Sequence, residues 1–311
     1  MMQDTIPRTS AHRHLLDVDA MTGSDIERAL DLAVEMREAR AARAHRSMLE
    51  TETVGLCFYE ASTRTRVSFE LAAKALGATV VDLSVVGSSV GKGESLVDTI
   101  RTLERTGVTA LVLRHSAAGA PYLAARTSGM AIVNAGDGMH AHPTQALLDA
   151  LTLREALGPL NGRLIVIVGD VGRSRVARSN LHALVKLGAR VRLGGPAAWV
   201  RAFDKWPGVE IATNLAEAMH GADAVMSLRV QLEREGASGV SLREYVADWR
   251  LDEKRMRLAA PNAPILHPGP TNEGVELTAD LADGHRSLIA RQVENGVPVR
   301  MAVLALVTGA A

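Results

Sequence analysis

Residues 54–70 read VGLCFYEASTRTRVSFE, and this stretch decides the fold. Val54 to Phe58 is a short apolar run, which predicts a buried strand. From Thr63 the pattern changes period. Val67, Leu71, Ala72, Ala75 and Leu76 recur at helical spacing until Gly77 stops them. A strand that hands over directly to a helix is half of a βαβ unit. The turn between them, Ser62-Thr-Arg-Thr-Arg66, crowds three hydroxyls and two arginines into five residues. The first turn of a helix already carries unpaired N–H groups and the positive end of the helix dipole. Arginines are unfavourable there unless an anion is bound, and a guanidinium fork beside hydroxyl donors suits phosphate oxygens. The plainer reading is a Ser/Thr cap followed by solvent-exposed arginines.

The same rhythm repeats outward. Candidate strands are Val54–Phe58, Thr79–Leu83, Val108–Arg114 and Met130–Asn134, then Leu164–Val168, Arg190–Leu193, Val209–Ala212, Ala224–Leu228 and Pro264–His267. Helical patterns lie between them. Ser24-Asp-Ile-Glu27 reads as a capping box, Leu96, Ile100 and Leu103 form a stripe ending near Gly107, and a helix spans about Thr144 to Leu157. The fold class predicted is α/β, with two doubly wound parallel-sheet domains. A length of 311 residues fits two domains of about 150 residues each. In such sheets ligands bind beyond the carboxyl ends of strands, and the polar clusters fall there.

Composition narrows the function. The net charge is zero, so bulk charge points to neither nucleic acid nor another polyanion. No run approaches the roughly 18 apolar residues of a membrane span, and the N-terminus lacks an apolar signal core, so a cytoplasmic protein is expected. The single cysteine, Cys57, excludes an intrachain disulfide and a multi-cysteine zinc site, and it reads as a buried structural thiol. Lysines are scarce: Lys74, Lys92, Lys186, Lys205 and Lys254. Lys92 sits between Gly91 and Gly93 in Ser88-Ser-Val-Gly-Lys-Gly-Glu94, a loop that presents a point charge or is simply a surface turn.

Other clusters follow strands. Leu113-Arg-His115 ends one. His142-Pro-Thr-Gln145 opens a helix; a neutral histidine there could donate to a carbonyl, and Gln145 both donates and accepts, although a lone histidine is usually structural. Gly169-Asp-Val-Gly-Arg-Ser-Arg-Val-Ala-Arg178 lacks the third glycine of a dinucleotide fingerprint, which weakens a nicotinamide-dependent oxidoreductase, and its three arginines suit a carboxylate or phosphate. Arg229 and Gln231 end another strand. His267-Pro-Gly-Pro270 fixes its carbonyl directions through two prolines.

Taken in order, FYEASTRTRVSFE, SSVGKGESLVDTI, LRH, HPTQALLD, GDVGRSRVARSN, SLRVQLER and HPGPTNEG resemble the aspartate/ornithine carbamoyltransferase family over nearly the whole chain. The match is to its aspartate-using members in particular. The resemblance implies transfer of the carbamoyl group of carbamoyl phosphate to the amine of L-aspartate, an early step of de novo pyrimidine biosynthesis. It implies a carbamoyl-phosphate domain, residues 1–143, joined by a C-terminal helix, 288–311, that crosses back to it, and an aspartate domain, 144–287. It also implies a homotrimer with shared sites, no metal and no cofactor. Regulatory chains or other pathway enzymes remain open as partners.

Roles follow by the same resemblance. Ser62, Thr63, Arg64 and Thr65 would hold the phosphate. Arg114 would reach phosphate and carbonyl oxygen, and Thr65 and His142 would polarise that oxygen. Gln145, with carbonyls near Gly269 and Pro270, would take the carbamoyl NH2. Arg175 and Arg229, assisted by Gln231, would grip the two carboxylates of aspartate. Glu60 would bridge Arg175 and Arg234. Ser88 (or Ser89) and Lys92 would come from a neighbouring subunit. Gly269 departs from the family, where leucine is frequent. An ornithine or other amine carbamoyltransferase is the nearest alternative, although the arginine of LRVQ suits a second carboxylate better than an ammonium. A non-catalytic paralogue would have lost part of this constellation, which is complete here.

Overall fold

The computed structural model describes residues 13–42, 47–84, 94–231 and 240–311. Along the first half run β1 (His14–Leu15), α1 (Gly23–Ala41), β2 (Thr53–Phe58), α2 (Thr63–Ala75), β3 (Thr79–Ser84), α3 (Leu96–Arg105), β4 (Ala110–His115), α4 (Ala120–Thr127) and β5 (Ala131–Asp137). Helix α5 (Pro143–Leu157) leads into the second half: β6 (Leu164–Val168), α6 (Arg175–Lys186), β7 (Arg190–Gly194), α7 (Ala197–Val200), β8 (Val209–Ala212), α8 (Leu215–Met219), β9 (Ala224–Ser227), α9 (Leu242–Trp249), α10 (Glu253–Met256), β10 (Ile265–Leu266), α11 (Ala279–Ala282) and α12 (Ile289–Thr308).

Two five-stranded sheets result, ordered β1-β5-β4-β2-β3 and β10-β9-β6-β7-β8, with every pairing parallel. In the first, the chain leaves β2 to one side for β3 and returns to the other for β4. In the second, β6 and β9 flank the equivalent reversal. Each reversal opens a crevice at the carboxyl ends of its two strands.

Alternation along the strands builds three cores. Val54, Leu56, Val112 and Val133 of the first sheet, and Ile165, Ile167, Leu193 and Met226 of the second, face one central core shared with α1, α5 and α12. Their neighbours point the other way: Cys57, Leu111, Leu113 and Ile132 into one outer core, and Leu164, Val166, Val168 and Val225 into another. This two-residue period, buried on both faces, is why the strands read as continuous apolar runs. Helix α12 leaves the second sheet and packs on α1, α2 and α5, so it crosses back to the first half.

The nine expected strands all form, with ends shifted by a few residues. The two-residue β1, too short to leave a pattern, pairs with β5. The capping box is displaced. Thr22 caps α1, its hydroxyl accepting from Asp25 N at 3.1 Å while the Asp25 carboxylate accepts from Thr22 N at 2.8 Å; Ser24 lies inside the helix. In α2 the buried stripe is Phe69, Ala72, Ala73 and Leu76, whereas Val67 and Leu71 are 40% and 45% exposed and rim the cavity described below. Among the described residues no helix is long and apolar enough to cross a membrane.

Candidate active site

The two crevices face each other across α5, and a cavity of about 1040 Å³ lies between them. One wall is the N-terminus of α2. Ser62 has the extended backbone of an N-cap, but its hydroxyl makes no capping bond to the helix, and the first turn carries no acid. The helix end is therefore left for an outside anion. Thr63 and Arg64 are exposed at the cavity and Thr65 is buried beneath them. The second arginine of the cluster does not join. Arg66 turns to β3 and pairs with Asp82.

Arg64 lies against the turn after β10. A Cβ built on Gly269, whose φ is +65°, would come within 2.9 Å of Arg64 Nη1. The glycine thus admits the guanidinium at a backbone angle that L residues rarely adopt. Gly269 N donates to His267 Nδ1 at 2.9 Å, so Nε2 carries the ring proton, 3.3 Å from Glu276 Oε1. The proline-bounded turn is held from inside by the bond from Gly269 N, and Pro268, Gly269 and Pro270 line the cavity.

At the centre one carboxylate joins two guanidiniums. Glu60 Oε1 accepts from Arg114 Nη2 and from Arg175 Nη2, each at 2.5 Å. Arg114 Nη1 also donates to Ala135 O at 3.2 Å, and Arg175 Nη1 to Gly138 O at 3.1 Å. Burial alone would raise the Glu60 carboxyl, but the bonds and charges of Arg175 and Arg114 win and hold it below its usual range. Arg114 is pushed down to about 10, by burial first and by neighbouring Arg175 second. It stays cationic at neutral pH. Gly136 makes room for both arginines: at φ +116° its Cβ position is 3.1 Å from Arg175 Cζ and 3.3 Å from Arg114 Nη1. Arg234, the other expected partner of Glu60, lies outside the described residues, as do Ser88, Ser89 and Lys92. Arg114 is a bridging partner of Glu60 that the sequence analysis did not name.

His142 is the N-cap of α5, and its backbone N–H donates to Ser179 Oγ at 2.9 Å. Burial, followed by the charges of Arg114, Arg175 and Arg300, holds its imidazole well below the usual histidine range. It is neutral at pH 7 and can donate one hydrogen bond. Gln145 stands one turn into the helix and lines the cavity.

Of the three arginines after β6, only Arg175 reaches the cavity. Arg173 pairs with Asp170 at 2.7 Å and lies over the Trp199 ring, and Arg178 donates to Met139 O and Gly172 O. From the loop after β9, Arg229 Nε donates to Asn272 Oδ1 at 3.4 Å. Gln231 Nε2 donates to Arg173 O at 3.0 Å. Both line the cavity beside Arg175.

Residues that sequence reasoning missed come from α5 and α12. Asp149, Gln292 and Arg300 are buried behind or along the cavity wall. Arg300 lies over the Phe69 ring, and burial pushes it down to about 10. Their signal was weak but present: charged or amide residues inside otherwise apolar helices, at ALLDAL and in the run after Ile289. Among the described residues, the cavity lining holds five arginines (Arg64, Arg114, Arg175, Arg229, Arg300) against the single carboxylate of Glu60. That arrangement can hold two polyanionic ligands and stabilise negative charge that grows on an oxygen between them.

Known proteins resemble this chain in sequence and fold. The model for the aspartate/ornithine carbamoyltransferase carbamoyl-phosphate binding domain matches residues 13–155, and that for the Asp/Orn binding domain matches 161–307. The aspartate carbamoyltransferase catalytic subunit of Roseiflexus sp. (strain RS-1) is 48% identical over 309 residues, covering 97% of each chain. The crystal structure of aspartate transcarbamoylase from Trypanosoma cruzi in complex with carbamoyl phosphate superposes with a TM-score of 0.85 at 32% identity, covering 96% of this chain and 98% of that one. Ornithine carbamoyltransferase from Pyrococcus furiosus gives 0.88 at 29% identity, again covering 96% and 98%. Fold and both matched halves agree: the chain belongs to the aspartate/ornithine carbamoyltransferase family.

Proposed function

We propose that this protein is an aspartate carbamoyltransferase, making N-carbamoyl-L-aspartate and phosphate. One observation carries the reading. An open helix N-terminus with Arg64 and a second pair of guanidiniums, Arg175 and Arg229, line the same cavity from opposite sheets. The first suits a phosphate dianion and the second a dicarboxylate. The names of the close relatives support it.

In this reading Ser62, Thr63, Arg64 and Thr65 bind the phosphate. Arg114 spans phosphate and carbonyl oxygen, and Thr65 and neutral His142 donate to that oxygen. Gln145 and the carbonyls near Gly269 and Pro270 accept from the carbamoyl NH2. Arg175, Arg229 and Gln231 hold aspartate so that its neutral amine faces the carbamoyl carbon. The amine attacks, charge grows on the carbonyl oxygen among its donors, and the C–O bond to phosphate breaks. The amine proton departs with the phosphate or to water. Positioning and preorganised charge supply the rate, each contributing on the order of several kcal/mol.

The finer organisation belongs to the same proposal. Residues 1–143 with 288–311 form the carbamoyl-phosphate domain and 144–287 the aspartate domain, which the membership of the two sheets supports. Three chains assemble, and Ser88 and Lys92 reach the neighbouring site. A cytoplasmic setting fits the lone buried free thiol of Cys57.

The test is direct. The purified protein is given carbamoyl phosphate with aspartate, ornithine or other amines, and carbamoylated product and phosphate are measured. Equal amounts of N-carbamoyl-aspartate and phosphate are expected, with little turnover of ornithine. Arg229→Ala should raise the KM for aspartate about tenfold or more and leave that for carbamoyl phosphate near its native value. Preferential use of ornithine would overturn the proposal.

A further inference from the structure

Behind Gln145 lies a carboxylate that no step above uses. Asp149 is fully buried one turn further along α5 and accepts three amide bonds. Gln145 Nε2 donates to Oδ1 at 2.9 Å, Gln292 Nε2 to the same oxygen at 2.7 Å, and Asn180 Nδ2 to Oδ2 at 2.9 Å. Gln292, on α12, has a second bond: its Oε1 accepts from His267 N at 2.9 Å. One hub therefore ties α5, α6, α12 and the root of the proline-bounded turn.

The chemistry of the hub fixes amide orientation. An ionised carboxylate only accepts, so each amide must show it an NH2 group. The oxygen of Gln292 is then left for His267 N–H, and the oxygen of Gln145 for the cavity that this residue lines. A reversed Gln145 would turn its own NH2 toward the substrate, donor against donor. Burial pushes Asp149 up to about 6, against the pull of its three amide donors and of Arg300, so it is ionised at pH 7 and above.

We propose that Asp149 is a positioning residue. Through Gln145 and Gln292 it aims two acceptors, the Gln145 amide oxygen and the carbonyls of the turn after His267, at the NH2 of the carbamoyl group. It thereby sets the preference for carbamoyl phosphate over acyl phosphates that carry a methyl there. The inference rests on the carbamoyl-transfer reading.

The experiment compares dissociation constants of carbamoyl phosphate, acetyl phosphate and inorganic phosphate by calorimetry, for the native protein, Asp149→Asn and Gln292→Leu. Asn is isosteric and removes a buried charge. The preference for carbamoyl over acetyl phosphate should fall by about tenfold in Asp149→Asn, the worth of one or two hydrogen bonds, while inorganic phosphate binds within about twofold of native. A merely structural role would move all three ligands together. A folded Asp149→Asn with the native preference overturns the proposal. If that variant does not fold, Gln292→Leu decides: loss of preference at unchanged phosphate affinity supports the hub, and native preference refutes it. The parallel assay of the native protein separates the two readings. No transfer to aspartate sinks the function itself, whereas transfer with an indifferent Asp149→Asn sinks only the positioning role.

Discussion

Replacing Gly136 with alanine should disable both halves of the site through one methyl group. The residue sits at φ +116°, where an L side chain is strained whatever space surrounds it. That strain costs about 1–3 kcal/mol. Here the space is also taken. The new Cβ would lie 3.1 Å from Arg175 Cζ, 3.2 Å from its Nε and 3.3 Å from Arg114 Nη1. Neither guanidinium can simply swing into water, because the two side chains are only 11% and 14% exposed and share Glu60. Both must shift by a few tenths of an ångström to an ångström, and a displacement of that size costs roughly 10²-fold in turnover. Gly107→Ala is the control: φ is +96° there, and nothing lies within 4 Å of its Cβ position. Urea denaturation midpoints and initial rates against each substrate would be measured for both variants. Both should lose stability, but only Gly136→Ala should lose turnover and weaken both substrates. If Gly136→Ala matches Gly107→Ala kinetically, the claim that this glycine sets the two arginines is wrong.

Three further outcomes are expected. Arg64→Ala should fold normally, since the side chain is exposed, yet lose turnover by about 10²-fold or more; near-native steady-state rates would refute its place at the phosphate. Lys92→Gln and Arg64→Ala, each nearly inactive alone, should regain activity when dissociated, mixed and reassociated, up to one native site per trimer; no recovery in mixed trimers verified by mass spectrometry would disprove shared sites. Burial pushes the Cys57 thiol up to about 12, so the folded protein should resist alkylation at pH 8 and react once unfolded; rapid labelling of the native chain would contradict the core position of β2.

What could be read in advance follows from range along the chain. Strand runs such as Leu164–Val168 are legible because every residue in them is buried, which leaves an unbroken apolar signature. The STRTR cluster is legible because arginines at a helix start contradict the dipole and ask for an explanation. Partner choice is not local. Residue type and spacing alone do not distinguish Arg66, bound to Asp82, from Arg64 at the cavity, nor Arg173, held by Asp170, from Arg175; only the family resemblance singles out Arg64 and Arg175. Arg66 and Arg173 pair with residues nearby in the chain, whereas Arg64 meets Gly269 and Arg175 meets Glu60 across more than a hundred residues, a choice that rests on which face of the turn the distant element covers. Asp149, Gln292 and Arg300 were hidden for the same reason. Asp149 lies on α5 and Gln292 and Arg300 on α12, and only the return of α12 brings them together.

The imbalance of charge in the cavity bears on the nucleophile. Five arginines against Glu60 leave a surplus of four positive charges among the described lining residues. A bound carbamoyl phosphate dianion cancels two of them, and the two carboxylates of aspartate cancel the rest. The amine, arriving last into this balance, would add a further positive charge with no anion to meet it. Such a site disfavours ammonium and lowers the amine's own proton affinity. If Arg175 and Arg229 grip the substrate's acids as proposed, their field also exposes the lone pair needed for attack, and recognition and activation of the acceptor become one electrostatic act.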